Sequence, residues 1–106
     1  MRHAARRDAN DAPITEALRK AGFVVYDYAQ VGQVPDKLAT KALPDGTPWV
    51  CWVEIKTPKG KLTQSQEAFR KVFEPRGEFY VARDPEVTVR ELMERYISAI
   101  KPEQLR

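Results

Sequence analysis

Asp36, Glu54 and Lys56 are of types that together can activate a water and carry the charge that grows on a phosphoryl group. Glu54 and Lys56 stand two apart in the apolar run 49–56, and residues two apart on a strand share a face. Asp36 reaches the same place through a turn. Leu43-Pro44-Asp45-Gly46-Thr47 offers Pro and Asp for the centres of a type I turn and Gly for the left-handed position of a G1 bulge. In that longer loop Leu43 lies across from Thr47, and the pairs Thr40–Val50, Leu38–Trp52 and Asp36–Glu54 follow. A shorter turn at Asp45-Gly46 would slip the register by one and send the carboxylates to opposite faces; Pro44 favours the longer loop. Like charges directly opposite on a sheet repel. A hard divalent cation such as Mg²⁺, commonly held by one or two carboxylates, reverses that argument. The Lys56 ammonium beside it could hold a water or steady a charged transition state.

These residues need a frame. Asn10 or Asp11 can cap a first helix, Pro13 suits its first turn, and Ile14, Ala17, Leu18 and Ala21 recur at helical spacing until Gly22 stops it. Residues 23–29 read as a strand rich in aromatic and β-branched side chains, ended by Gly32. Residues 34–43 read as a weaker strand and 49–56 as the strongest. Thr63 and Gln66 match a capping box, and Ala68, Phe69, Val72 and Phe73 give the apolar stripe of a second helix ended by Pro75 and Gly77. Residues 78–82 read as a last short strand. Thr88 and Glu91 match another capping box, with Val87 and Leu92 as a hydrophobic staple. Val89, Leu92, Met93, Tyr96, Ile97 and Ile100 then line one face of a third helix. The expected order is helix, three strands, helix, strand, helix: an α/β layer with a mixed sheet. A basic tail over 1–9, a single domain over 10–101 and a tail over 102–106 complete the division.

Composition narrows the classes. At 106 residues, with 42% apolar and 31% charged, the chain fits one soluble globular domain. No apolar run is long enough to span a bilayer, and no apolar stretch follows the arginines Arg2, Arg6 and Arg7, so no secretory signal is expected. The lone Cys51 cannot form an intramolecular disulfide, fits a reducing cytoplasm, and reads as a small buried hydrophobe. The lone His3 lies in the tail, which speaks against histidine catalysis or a zinc cluster. No organic cofactor is expected. A net charge of +3 and pI near 9.1 are compatible with nucleic acid without demonstrating it. Trp49 and Trp52 point to opposite sides of their strand, so one of them belongs to the core; Tyr26 and Tyr28 share a face and either pack or line a groove.

Val34-Pro35-Asp36, a hairpin, and then Val53-Glu54-Ile55-Lys56 resemble the signature of the PD-(D/E)xK nucleases. The continuation Thr57-Pro58-Lys59-Gly60-Lys61-Leu62-Thr63, with Gln66 three residues on, resembles the VRR-NUC branch of that superfamily. Arg6-Arg7-Asp8-Ala9-Asn10, with Ala17-Leu18-Arg19 and Gly22, is similar to its small stand-alone, phage-type members. The resemblance implies a restriction-endonuclease-like core and DNA cleavage dependent on Mg²⁺, with Mn²⁺ as a substitute. Asp36, Glu54 and the backbone carbonyl of Ile55 would bind the metal; Lys56 would serve the nucleophilic water and Gln66 would orient or polarise it. It also implies a homodimer, for which the helix over 89–100 would supply the interface, acting on duplex or branched DNA such as a four-way junction in a host cytoplasm. The sequence departs from the family at two points. Asn10 stands where a glutamate is usual, so a contact to metal through water is all it could offer, and Lys37 replaces a usually apolar residue, which would loosen its strand.

Each site residue also has an ordinary explanation. A Glu–Lys pair on an exposed strand face is common and worth little; Asp36 opposite and the downstream pattern set this one apart. Gln66 is explained equally by its cap. Lys59, Lys61 and Arg7 are solvated side chains unless phosphate lies against them, which their place beside the site favours for the two lysines. The rival to a metal-dependent endonuclease is a non-catalytic DNA-binding accessory protein with a nuclease-like fold.

Overall fold

The computed structural model describes residues 9–105. The chain runs α1 (Asp11–Lys20), β1 (Val24–Asp27), β2 (Lys37–Ala42), β3 (Pro48–Ile55), α2 (Gln64–Phe73), a 3₁₀ turn (Glu74–Arg76), β4 (Phe79–Ala82), α3 (Pro85–Ser98) and a last 3₁₀ turn (Pro102–Leu105). This is the expected order, and the four strands form one mixed sheet in sequence order. β1, β2 and β3 are antiparallel neighbours, while β3 and β4 run parallel, joined by the crossover through α2.

The hairpin takes the longer loop. Leu43 N–H donates to Thr47 O at 2.8 Å, Gly46 N–H to Leu43 O at 2.8 Å, and Gly46 sits at φ 90°, the left-handed position that suits glycine. Leu38 pairs with Trp52 and Thr40 with Val50, as the turn dictates.

Each face of the sheet has its own cover. Ile14 and Leu18 of α1 and Leu92 of α3 pack with Val25, Ala39, Trp49, Cys51 and Val53 into a dry core on one side. On the other, α2 lays Phe69 against Trp52 and Phe79, at centroid distances of 5.6 and 6.0 Å. The burial of β3 records both: it alternates from Trp49 to Trp52, and then Val53, Glu54 and Ile55 are all buried. Trp49 is thus the core tryptophan, and Tyr28 packs edge-on against Trp52 at 5.4 Å. Cys51 is buried as expected, which pushes its thiol up to about 12 and leaves it unreactive. Among the described residues no helix is long and apolar enough to cross a membrane.

Four expectations change. α3 starts at Pro85, with Asp84 as its cap accepting from Val87 N–H at 2.9 Å; Thr88 and Glu91 therefore lie inside the helix and form no capping box. Asn10 occupies the cap position of α1 without capping it. Lys37 does not loosen β2: it is buried, with its ammonium 3.1 Å from both Asp11 and Asp27. Most of the apolar stripe of α3 is spent inside the protomer, where Val89, Met93 and Tyr96 pack on the core, and among its described large apolar residues only Ile97 stays well exposed. It therefore offers little to a dimer interface.

Candidate functional site

β2 ends its ladder at Lys37–Val53, one residue short of the carboxylates. Asp36 then substitutes side chain for backbone: its Oδ2 accepts from Ile55 N–H at 2.9 Å, while its carbonyl accepts from Tyr28 N–H at 2.7 Å. The bond holds the Asp36 carboxylate against the end of β3, beside Glu54. In an extended strand the N–H and C=O of one residue point to the same edge, so the Ile55 carbonyl shares the edge that Asp36 occupies.

Glu54 is 4% exposed, pinned between β4 and α2. Burial pushes its carboxyl up to about 8, and the hydrogen bond and charge of Asp36 push the same way, while the Lys56 ammonium opposes them. The protonated form of Glu54 is thus favoured well above the pH at which an ordinary glutamate ionises. A small cavity of about 70 Å³ opens beside it, with Val34, Pro35, Phe69 and Phe79 as apolar walls and Gln33, Ser65 and Gln66 as polar ones. Gln33 borders the cavity at φ 74°, a left-handed backbone that a glutamine rarely adopts. A larger open hollow of about 520 Å³, lined by Trp49, Arg76, Glu91, Glu94 and Arg95, lies on the α3 side and contains none of these residues.

Gln66 reconciles its two readings. Its Oε1 accepts from Thr63 N–H at 2.8 Å and its own N–H donates to Thr63 Oγ1 at 3.3 Å, a complete capping box; the same side chain lines the cavity that reaches Glu54. Lys56 is half-buried, and Lys59 and Lys61 are exposed on the loop that follows. Arg7 lies outside the described residues, as do Arg2, His3 and Arg6.

Asn10 approaches the site differently from the sequence expectation. Its Nδ2 donates to Lys56 O at 2.8 Å and Arg83 O at 3.2 Å, tying the start of α1 to the ends of β3 and β4. Asp11, the neighbouring acid, is engaged by Lys37 and by Thr15, and Glu16 is exposed along the helix.

The donor chemistry suits a hard cation. Burial first, and the neighbouring Asp36 second, let Glu54 keep its proton above its ordinary range, and a divalent ion would take that proton's place. Among the described residues no group of three or more His, Cys, Asp and Glu side chains gathers. Remaining ligands would therefore be the Ile55 carbonyl and water, a set that Mg²⁺ accepts.

Sequence reasoning missed Arg83. It follows β4 directly and its Nη1 donates to Thr57 O at 2.6 Å, Gly60 O at 2.7 Å and Pro58 O at 3.3 Å. No local spacing announces such a contact, because its partners lie 23 to 26 residues away. The buried Lys37 cluster was missed for the same reason. No family model, curated protein or solved structure matches the chain.

Proposed function

We propose that this protein is a divalent-metal-dependent endonuclease that hydrolyses DNA phosphodiester bonds and favours branched substrates, in the manner of the PD-(D/E)xK and VRR-NUC nucleases that its sequence resembles. The observation that carries the reading is the crowded Asp36–Glu54 carboxyl pair with the Lys56 ammonium on the same side of β3. Buried like charges cost stability, and this pair is most simply explained by a cation that it serves.

Asp36, Glu54 and the Ile55 carbonyl would hold the ion. A bound Mg²⁺ or Mn²⁺ supplies a water of lowered pKa and charge neutralisation at the phosphoryl oxygens. Lys56 donates to the attacking water or to a non-bridging phosphate oxygen, oriented for in-line displacement. Gln66, its oxygen engaged at the helix cap, lends the polar wall beside that water. Lys59 and Lys61 meet backbone phosphates, a contribution that weakens as salt rises. Four-way junctions suit a two-fold dimer, whose interface would have to lie outside the α3 stripe.

The test is cleavage of labelled linear, supercoiled and four-way-junction DNA with Mg²⁺ or Mn²⁺, beside EDTA and Lys56→Ala. Metal-dependent products absent from both controls support the nuclease. The second reading, a DNA-binding accessory without catalysis, draws on Asn10, whose amide is committed to two carbonyls where the family usually has a carboxylate. Salt-sensitive binding of the same DNAs with no product from any would favour it.

A further inference from the structure

We infer that Arg83 is a positioning residue for Lys56, acting through the turn of residues 57–60; this rests on the nuclease reading above. Two independent observations meet on that turn. Arg83 Nη1 gathers the carbonyls of Thr57, Pro58 and Gly60 at 2.6, 3.3 and 2.7 Å, closing a turn that has one bond of its own, Gly60 N–H to Thr57 O at 3.1 Å. Carbonyl oxygens that converge repel one another, so without the guanidinium the turn would open. The turn in its closed form lies alongside the stem of Lys56: a Cβ built on Gly60 would meet Thr57 Oγ1 at 3.0 Å and come within 3.5 Å of Lys56 Cδ, leaving about the depth of one methyl between backbone and stem.

The backbone of Lys56 is fixed from the other side. Asn10 Nδ2 bridges Lys56 O and Arg83 O, and Lys56 N–H donates to Ala82 O at 3.0 Å. Arg83 thus links both halves of the device: its main chain is tied to Lys56 by Asn10, and its side chain holds the turn that walls the lysine stem. Among the described residues no carboxylate pairs with Arg83. Its charge serves the carbonyls, and through them a lysine whose ammonium must stand within hydrogen-bond reach of the reacting phosphate. Displacing such a group by about 1 Å costs up to roughly 100-fold in rate.

The test compares Arg83→Met, Arg83→Lys and Gly60→Ala with the unaltered chain in two measurements. Steady-state cleavage of the best DNA substrate should show kcat falling roughly 10- to 100-fold in Arg83→Met with KM nearly unchanged. Arg83→Lys, whose ammonium can still reach carbonyls, should recover most of the loss, and Gly60→Ala, whose Cβ would press on Thr57 Oγ1 and only touch Lys56 Cδ, should cost less than Arg83→Met. Amide hydrogen exchange, which needs no activity, should show the Gly60 N–H exchanging about tenfold faster or more in Arg83→Met, with protection in α3 kept. Unchanged Gly60 exchange would overturn the inference. So would a rise in KM at constant kcat, which would make Arg83 a direct phosphate contact. An unaltered chain inactive on every DNA would overturn the nuclease reading and any catalytic role for Arg83 with it; exchange at Gly60 would then still report whether Arg83 holds the turn.

Discussion

Asp36 and Lys37 are neighbours in the chain, yet they enter opposite kinds of electrostatic surroundings. Lys37 points to the α1 side, is 2% exposed, and finds two acids, Asp11 and Asp27, each at 3.1 Å. Asp36 points to the α2 side and finds another acid, Glu54, which is buried almost as deeply. The first cluster is complete within the protein: a desolvated ammonium has its countercharges, and their geometry ties α1 to β1 and β2. The second is incomplete, and relieves itself by keeping a proton. The first cluster thus reads as architecture, while the second is the place that the proposed cation would fill.

The largest expected effect lies on the incomplete side. Lys56→Ala should lower DNA cleavage by roughly 100- to 1,000-fold, the loss typical of one electrostatic group at a reacting centre, without moving the thermal midpoint by more than a few degrees. A variant that cleaves as fast as the unaltered chain would remove Lys56 from the chemistry.

On the complete side the effect is on stability. Lys37→Met leaves Asp11 and Asp27 facing each other without their cation and should cost about 3 kcal/mol, roughly a 10–20 °C fall in midpoint. Thermal unfolding checks it, and an unchanged midpoint would mean that the cluster contributes no net stability.

The sharpest contrast is pH. Glu54 holds its proton to about 8 in the folded chain against an ordinary 4.5, so the folded state binds that proton more tightly than the unfolded one. The stability it contributes is fully present below about 4.5 and is lost as pH rises toward 8. Metal-free protein should therefore lose up to roughly 3–4 kcal/mol between pH 5 and 8 from this group. Glu54→Gln should flatten that part of the profile, and Mg²⁺ at pH 8 should raise the midpoint of the unaltered chain but not of the variant. A pH profile identical in the two proteins would sink the idea. The smallest effect separates the two duties of Gln66: Thr63→Ala and Gln66→Ala should each cost about 1 kcal/mol as lost caps, while only Gln66→Ala should also slow cleavage.

How far the sequence could be read follows from where each partner lies. The register that brings Asp36 beside Glu54 was legible because Pro44-Asp45-Gly46 sets the loop length and with it the ladder as far as Lys37–Val53; that Asp36 then bonds the Ile55 N–H through its side chain was not. The cap of α2 was legible because both of its members are local. The start of α3 was misplaced because Asp84-Pro85 and Thr88–Glu91 are both acceptable beginnings, and the folded chain takes the first, with Asp84 as the cap. Lys37 looked like a misfit because its acids lie 26 and 10 residues back, on elements that nothing local pairs with it. Asn10 looked like a weak ligand or a cap; its bonds to Lys56 and Arg83 span 46 and 73 residues, beyond any pattern of spacing. The restriction-endonuclease-like core remains an implication of the resemblance, while the mixed four-stranded α/β sheet is observed directly.

Those long spans also govern when the site can exist. During synthesis Glu54 and Lys56 leave the ribosome well before β4 and its flanking residues, where Glu78, Ala82 and Arg83 supply the carbonyls for Trp52, Lys56 and Asn10. Until that strand arrives β3 is an open edge, and neither the lysine nor its turn is held. On the nuclease reading, the centre is therefore complete only once about four-fifths of the sequence has emerged, and its assembly waits on the last third of the chain.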